Sequence, residues 1–214
     1  MKRAATTITA VLGGIAILFL TAALISPRTV IATPDNPPTG KTGAPPTETT
    51  CIECHSDFPE NDVDGAIVIG NLPVEYTPGQ TYSLGLLVGR LGSARWGFEV
   101  TALTSGGAAA GTLSDANPWV GKQSAGGREY IGQTTGEGSD GTYAGTLDAT
   151  VWGFNWTAPP AGAGTVTFYF AGVACNNDNG EGGDYVYSGS QDTTEGTTTD
   201  VKATTWGDIK TIYR

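Results

Sequence analysis

The chemistry-bearing residues of this sequence are concentrated in one short run, Cys51-Ile52-Glu53-Cys54-His55-Ser56. Two thiols three positions apart, followed at once by an imidazole, form the spacing that attaches a c-type haem. Both thiols can add to the vinyl groups of one porphyrin while the adjacent ring reaches the iron from the same side. Two of the chain's three cysteines hold this spacing, and its one histidine stands at the required position. Cys51 and Cys54 are therefore the expected covalent attachment points of a single haem c, and His55 is the expected axial iron ligand. The same residues admit two other readings. In an oxidising compartment Cys51 and Cys54 could close a local disulfide, or one of them could pair with Cys175. A zinc ion would find three ligands in the run, with Cys175 as the most obvious fourth from the protein.

The sixth iron position has no ordinary candidate, because His55 is the sole histidine and Met1 the sole methionine. What remains is an open or water-filled site, an atypical ligand such as Lys41, Cys175 or a tyrosine, or a residue from a neighbouring chain. Cys175, taken alone, suits a small buried hydrophobe. The Asn176-Asn177-Asp178-Asn179-Gly180-Glu181-Gly182-Gly183-Asp184 stretch after it is rich in oxygen ligands. It departs from the twelve-position calcium loop with a terminal Glu and suits a solvated turn. No triad, phosphate loop or pair of acids suggests hydrolysis, so no catalytic residue is expected and an electron carrier or binding protein is favoured over an enzyme.

The N-terminus sets the compartment. Lys2 and Arg3 precede 22 uncharged residues from Ala4 to Ile25, and Val30-Ile31-Ala32 suits signal peptidase. An apolar signal region usually runs to about 7–15 residues and a spanning helix needs about 20, so residues 1–32 are read as a signal peptide or an N-terminal anchor. Either way the remainder is exported, to the periplasm, the cell surface or beyond. Removing residues 1–32 takes away Lys2, Arg3 and Arg28 but no acid, which moves the formal charge from −10 to −13. Such a surface excludes nucleic acid as a partner and repels anionic lipid, which leaves residues 4–25 as the only route to a membrane. The expected partner is a redox protein or neighbouring copies of this chain.

The elements that must position the motif are strands. Residues 33–50 are dense in Pro, Gly and Thr with no apolar period, and are expected to be an extended linker whose role is reach. Residues 51–65 form the haem-attachment segment, ending in acidic turn material. Beyond it Ala66–Ile69 is a short apolar run, and Tyr82, Leu84, Leu86 and Val88 alternate with Ser83 and Gly85. Trp96, Phe98 and Val100 alternate with Gly97, Glu99 and Thr101, as do Val166, Phe168 and Phe170 with Thr165, Thr167 and Tyr169. Weaker strand signals lie at Tyr130–Thr134, Phe154–Thr157 and Tyr185–Ser188. This pattern predicts an all-β, immunoglobulin-like antiparallel sandwich over residues 66–188. Residues 189–214 are expected as a flexible lead into a short C-terminal helix. There Thr205 and Asp208 form a capping box and Trp206, Ile209 and Tyr213 share a face.

Several further runs carry a resemblance. Thr42-Gly43-Ala44-Pro45, Thr50-Cys51 with Cys54-His55, and Tyr76-Thr77-Pro78-Gly79-Gln80-Thr81-Tyr82 stand in the order of the opening of the bacterial choice-of-anchor V domain. Trp96 to Leu103, Phe154-Asn155-Trp156-Thr157-Ala158-Pro159, Gly164 to Tyr169 and Gly183-Asp184-Tyr185-Val186-Tyr187 continue it, so the chain resembles that family over roughly residues 42–188. The resemblance implies a Reeler-like sandwich on an exported, often surface-anchored protein, frequently with a CxxCH near its start. It also keeps open a surface adhesion or ligand-binding role, in which CxxCH is a disulfide or a structural haem site. Pro46 stands where the family tends to have Gly, and Gln133 where many relatives are expected to carry a His. Without the family's C-terminal apolar tail, anchoring would fall to residues 4–25.

Overall fold

The computed structural model describes residues 33–197. Ten strands form two sheets that face one another across an aromatic core. They are β1 Gly65–Gly70, β2 Glu75–Tyr76, β3 Thr81–Arg90, β4 Arg95–Thr104, β5 Thr112–Asp115, β6 Val120–Ala125, β7 Arg128–Gln133, β8 Ala149–Thr157, β9 Val166–Cys175 and β10 Tyr185–Glu195. One sheet has the order β1-β3-β8-β5 and the other β2-β10-β9-β4-β7-β6, antiparallel except where β2 runs parallel to β10. The expected all-β sandwich is the observed architecture.

The core follows from the period of two. Along β8, Thr150, Trp152, Phe154 and Trp156 are buried while the residues between them face outward, and along β3 Leu84, Leu86 and Val88 do the same. Trp96, Trp152 and Trp156 each bury a large ring but still need a partner for the indole N–H. Each donates to a loop carbonyl, at Thr146, Gly141 and Ala110, at 2.8, 2.7 and 2.8 Å. The aromatic core thereby fixes the loops that close the sandwich.

Two segments differ from the sequence-based expectation. Residues 33–50 do not run free as a linker but lie over the outer face of the six-stranded sheet, where Thr42 and Ala44 are each 1% exposed. Asn36 N donates to Gln133 O, Gln123 Nε2 to Pro37 O, and Tyr130 Oη to Glu48 Oε1. Polar side chains of the sheet hold a strap that has no apolar period of its own. Its presence buries β4 on both faces from Trp96 to Leu103. Likewise, Gly189 to Glu195 are not a flexible lead but the second half of β10, paired to β9 as far as Thr193↔Val166. Thr193 is 1% exposed, and Glu195 receives the N–H groups of Gly162 and Gly164. Among the described residues no helix is long and apolar enough to cross a membrane. The expected N-terminal segment and C-terminal helix lie outside the described residues.

Candidate metal and haem-attachment site

The strap ends at the CxxCH motif and delivers it to one end of the six-stranded sheet. Thr42 bridges to Thr50, whose Oγ1 accepts the Ile52 N–H and caps a single 3-10 turn over Cys51–Glu53. The N–H groups of Cys54 and His55 both return to Cys51 O, at 3.2 and 3.0 Å. This turn holds the backbone of Cys51, Cys54 and His55 in one short segment. Glu53 fastens its outer side, accepting from Thr49 Oγ1 at 2.7 Å and pairing with the Lys41 ammonium. Hydrogen bonds from Lys41 and then Thr49 hold the Glu53 carboxyl below its ordinary range.

The segment that follows is pinned to β10. Phe58 stacks on Tyr185 with ring centroids 4.0 Å apart, and Arg90 covers a face of the Tyr185 ring at 3.3 Å. Asn61 N donates to Val186 O, Ser188 N to Asn61 Oδ1, and Gly183 N to Asp57 Oδ2. These contacts bring His55 to the mouth of the β9–β10 hairpin.

There His55 Nδ1 lies 2.7 Å from Asp184 Oδ2, with the two side chains 11% and 0% exposed. Asp184 Oδ1 accepts from Asn176 N at 3.1 Å, and the carboxylate also engages the Cys175 thiol. An ionised carboxylate can only accept, so this contact suits an Nδ1–H donor and leaves Nε2 for another partner. Ligand atoms of His55, Cys175 and Asp184 all lie within 4.8 Å of one another. Burial, then the charge of Asp184, pushes the Cys175 thiol well above the ordinary range.

Cys51 is pushed up to about 12 by burial and then by the charge of Glu99, and Cys54 is raised by burial and then by Glu181. No disulfide joins Cys51, Cys54 and Cys175. Glu99 lies beneath the strap, 0% exposed, with Oε2 accepting the Lys41 N–H at 2.6 Å and Oε1 without a partner among the described residues. Its burial raises the carboxyl to about 8.

The three predicted site residues are thus assembled on one turn. Of the candidate sixth ligands, the Lys41 ammonium is engaged by Glu53, and the Cys175 thiol is engaged by the Asp184 carboxylate that also meets His55 Nδ1. Gln133 is 5% exposed and serves the backbone, accepting from Phe98 N at 2.7 Å and donating to Thr33 O at 3.4 Å. Asp178 spends its carboxylate on the N–H of Gly180 and on Asn176 Nδ2, as a self-contained turn would. Two residues escaped the sequence reading. Asp184 had one signal, its place in Gly183-Asp184-Tyr185 at the mouth of a hairpin that begins beside a cysteine. Glu99 had none, since its strand alternation marks it as outward-facing and the strap that buries it has no apolar pattern.

The donor set fits the implied group: two cysteines with no disulfide between them, and an imidazole whose far nitrogen is held by a buried carboxylate. No family model matches the chain, and no curated protein matches it. Among solved structures it is similar to the Reelin-N domain of F-spondin, at 18% identity and a TM-score of 0.46, covering 68% of this chain and 97% of that one. The human F-spondin reeler domain is similar at 17% identity and a TM-score of 0.41, covering 62% and 89%. The seventh ScaB type I cohesin from Pseudobacteroides cellulosolvens is similar at 11% and 0.34, covering 64% and 96%.

Proposed function

We propose that this chain is an exported β-sandwich that carries one covalent c-type haem and passes electrons at the cell envelope or surface. The residues quoted for the choice-of-anchor V resemblance would make it a member of that family. Cys51 and Cys54 would hold the porphyrin as thioethers, and His55 would offer Nε2 to the iron. The observation that carries the reading is the 2.7 Å contact between His55 Nδ1 and Asp184 Oδ2, which prepares the ring as an axial ligand on the turn that bears both cysteines. When bound, the haem supplies a one-electron couple. The chain's own part is to orient the imidazole, to fix its tautomer and to hold the attachment turn against β9 and β10.

The test is production of the chain together with a cytochrome c maturation system, followed by a pyridine haemochrome spectrum and a haem-stained denaturing gel. One covalent haem is expected in the wild type. Cys51→Ala, Cys54→Ala and His55→Ala should each abolish stable incorporation, whereas Cys175→Ala should retain it. Full retention in the Cys51→Ala/Cys54→Ala double variant would remove the proposal.

A second reading, a surface binding module, is favoured by one observation. On the outer face of the four-stranded sheet Val68, Leu87 and Val151 stand in register across β1, β3 and β8, 52%, 36% and 52% exposed. The rows on either side are Ala66-Gly89-Ala149 and Gly70-Gly85-Gly153, so this face carries no charge and is flat enough for a protein partner. A wild-type chain that stays free of haem after maturation would leave this as the favoured role.

A further inference from the structure

We propose that His55, Cys175 and Asp184 form a binding site for a thiophilic divalent cation, best suited to zinc, in the chain that carries no haem. The proposal does not depend on the haem reading, because Cys175 and Asp184 lie outside the CxxCH run and Asp184 meets His55 at Nδ1, the nitrogen the haem reading leaves free. Three separate stretches converge to make it: the turn after Cys51, the last residue of β9 and the residue before β10. Their sulfur, nitrogen and oxygen atoms already lie within 4.8 Å of one another. A tetrahedral zinc ion, with bonds of about 2.0–2.3 Å, needs its ligand atoms about 3.3–3.6 Å apart. Binding would open the 2.7 Å contact between His55 Nδ1 and Asp184 Oδ2 to that spacing.

Charge and protons argue the same way. A thiolate, a carboxylate and a neutral imidazole carry two negative charges, which one divalent ion cancels in a place where Asp184 is 0% exposed. The charged groups that bear on Cys175 are Asp184, Cys51 and Arg95. The Asp184 carboxylate meets both His55 Nδ1 and the Cys175 thiol, so all three ligands face one another across the place the cation would take. On binding, the Cys175 proton leaves to solvent and the imidazole proton moves from Nδ1 to Nε2, so each ion releases one proton. Asn176 N–H remains on Asp184 Oδ1 as an outer support for the ligand. This set differs from the zinc set foreseen in the sequence, since the cluster comprises His55, Cys175 and Asp184 and neither Cys51 nor Cys54. A protonated Nε2 cannot coordinate iron, so the cation and the axial haem bond exclude one another.

The test uses the full chain in detergent, made without haem maturation, kept reduced and treated with a chelator. Cobalt(II) should bind one equivalent, give a thiolate-to-cobalt charge-transfer band and release one proton, and zinc should displace it. Cys175→Ser should abolish the band, and both Cys175→Ser and Asp184→Asn should weaken zinc by about 100-fold or more, beyond the usual effect of an outer-shell change. The Cys51→Ser/Cys54→Ser double variant should bind as the wild type does. Far-ultraviolet circular dichroism checks that each variant folds. X-ray absorption of the zinc-loaded wild type, which needs no variant, should show one sulfur among nitrogen and oxygen neighbours. Two sulfurs, a band that survives in Cys175→Ser, or no stoichiometric binding would overturn the proposal.

Discussion

At the scale of single residues, the environment of the motif is set by carboxylates that the strap and the hairpin take out of water. Glu99 has the clearest consequence. Burial, opposed by the Lys41 N–H, raises its carboxyl from 4.5 to about 8, and one oxygen finds no partner among the described residues. The folded chain therefore holds this proton more tightly than the unfolded chain does. Its contribution to stability is fullest below about 4.5, falls as pH rises through the interval and levels off above about 8. The loss should be on the order of a few kcal/mol. Urea unfolding at about pH 5 and about pH 9 should show it in the wild type and much less of it in Glu99→Gln. Equal pH dependence in the two would mean that other groups control the acid–base behaviour.

At the scale of elements, the strands legible in the sequence were those whose large apolar side chains recur at every second residue, β4 included although the strap buries its other face. β3 and β8 alternate because their outer sides are open, and β9 does so from Val166 to Phe170 before both of its faces become buried. β5 and β6 were not legible, since each buries one side chain, Leu113 or Val120, among polar neighbours. The second half of β10 escaped because Gly, Ser, Gln, Asp and Thr there pair through the backbone and polar side chains, as Thr167 Oγ1 does with Asp192 Oδ1, and show no apolar alternation. The strap escaped because hydrogen bonds hold it in place of an apolar stripe. Two substitutions test these elements. Trp156 is 0% exposed, packs against Tyr76 and Phe168 at 5.5 and 5.0 Å, and binds Ala110 O, so Trp156→Ala should cost about 3–5 kcal/mol in urea unfolding. A Cβ on Gly132 would meet Pro37 Cγ at 2.7 Å and Phe98 O at 3.0 Å. Gly132→Ala should therefore lift the strap, cost about 1–3 kcal/mol and speed protease cleavage within residues 33–50. Unchanged cleavage would show that the strap is not held at this point.

At the scale of the whole molecule, charge and axial chemistry act on the proposed iron in one direction. Residues 33–214 carry 13 excess negative charges and contain no methionine, and their sole histidine is His55. Methionine ligation, which raises the potential, has no donor there. A negative field favours ferric iron, whose charge is one unit more positive than that of ferrous iron. The buried Asp184 carboxylate adds a local push in the same sense, because a hydrogen bond from Nδ1–H makes Nε2 the stronger donor. The potential of the haem-loaded chain should therefore lie well below that of cytochromes c with histidine and methionine ligation, with no methionine band in the oxidised spectrum. Asp184→Asn, which keeps the shape but loses the charge, should raise it. Added salt should raise it too by screening the surface, and by a similar amount in both proteins, since the Asp184 contribution is buried and hardly screened. Redox titration followed optically at two ionic strengths measures all of these together. A high potential with a methionine-type spectrum, or an Asp184→Asn potential equal to that of the wild type, would show that the axial pair is not the one His55 and Asp184 prepare.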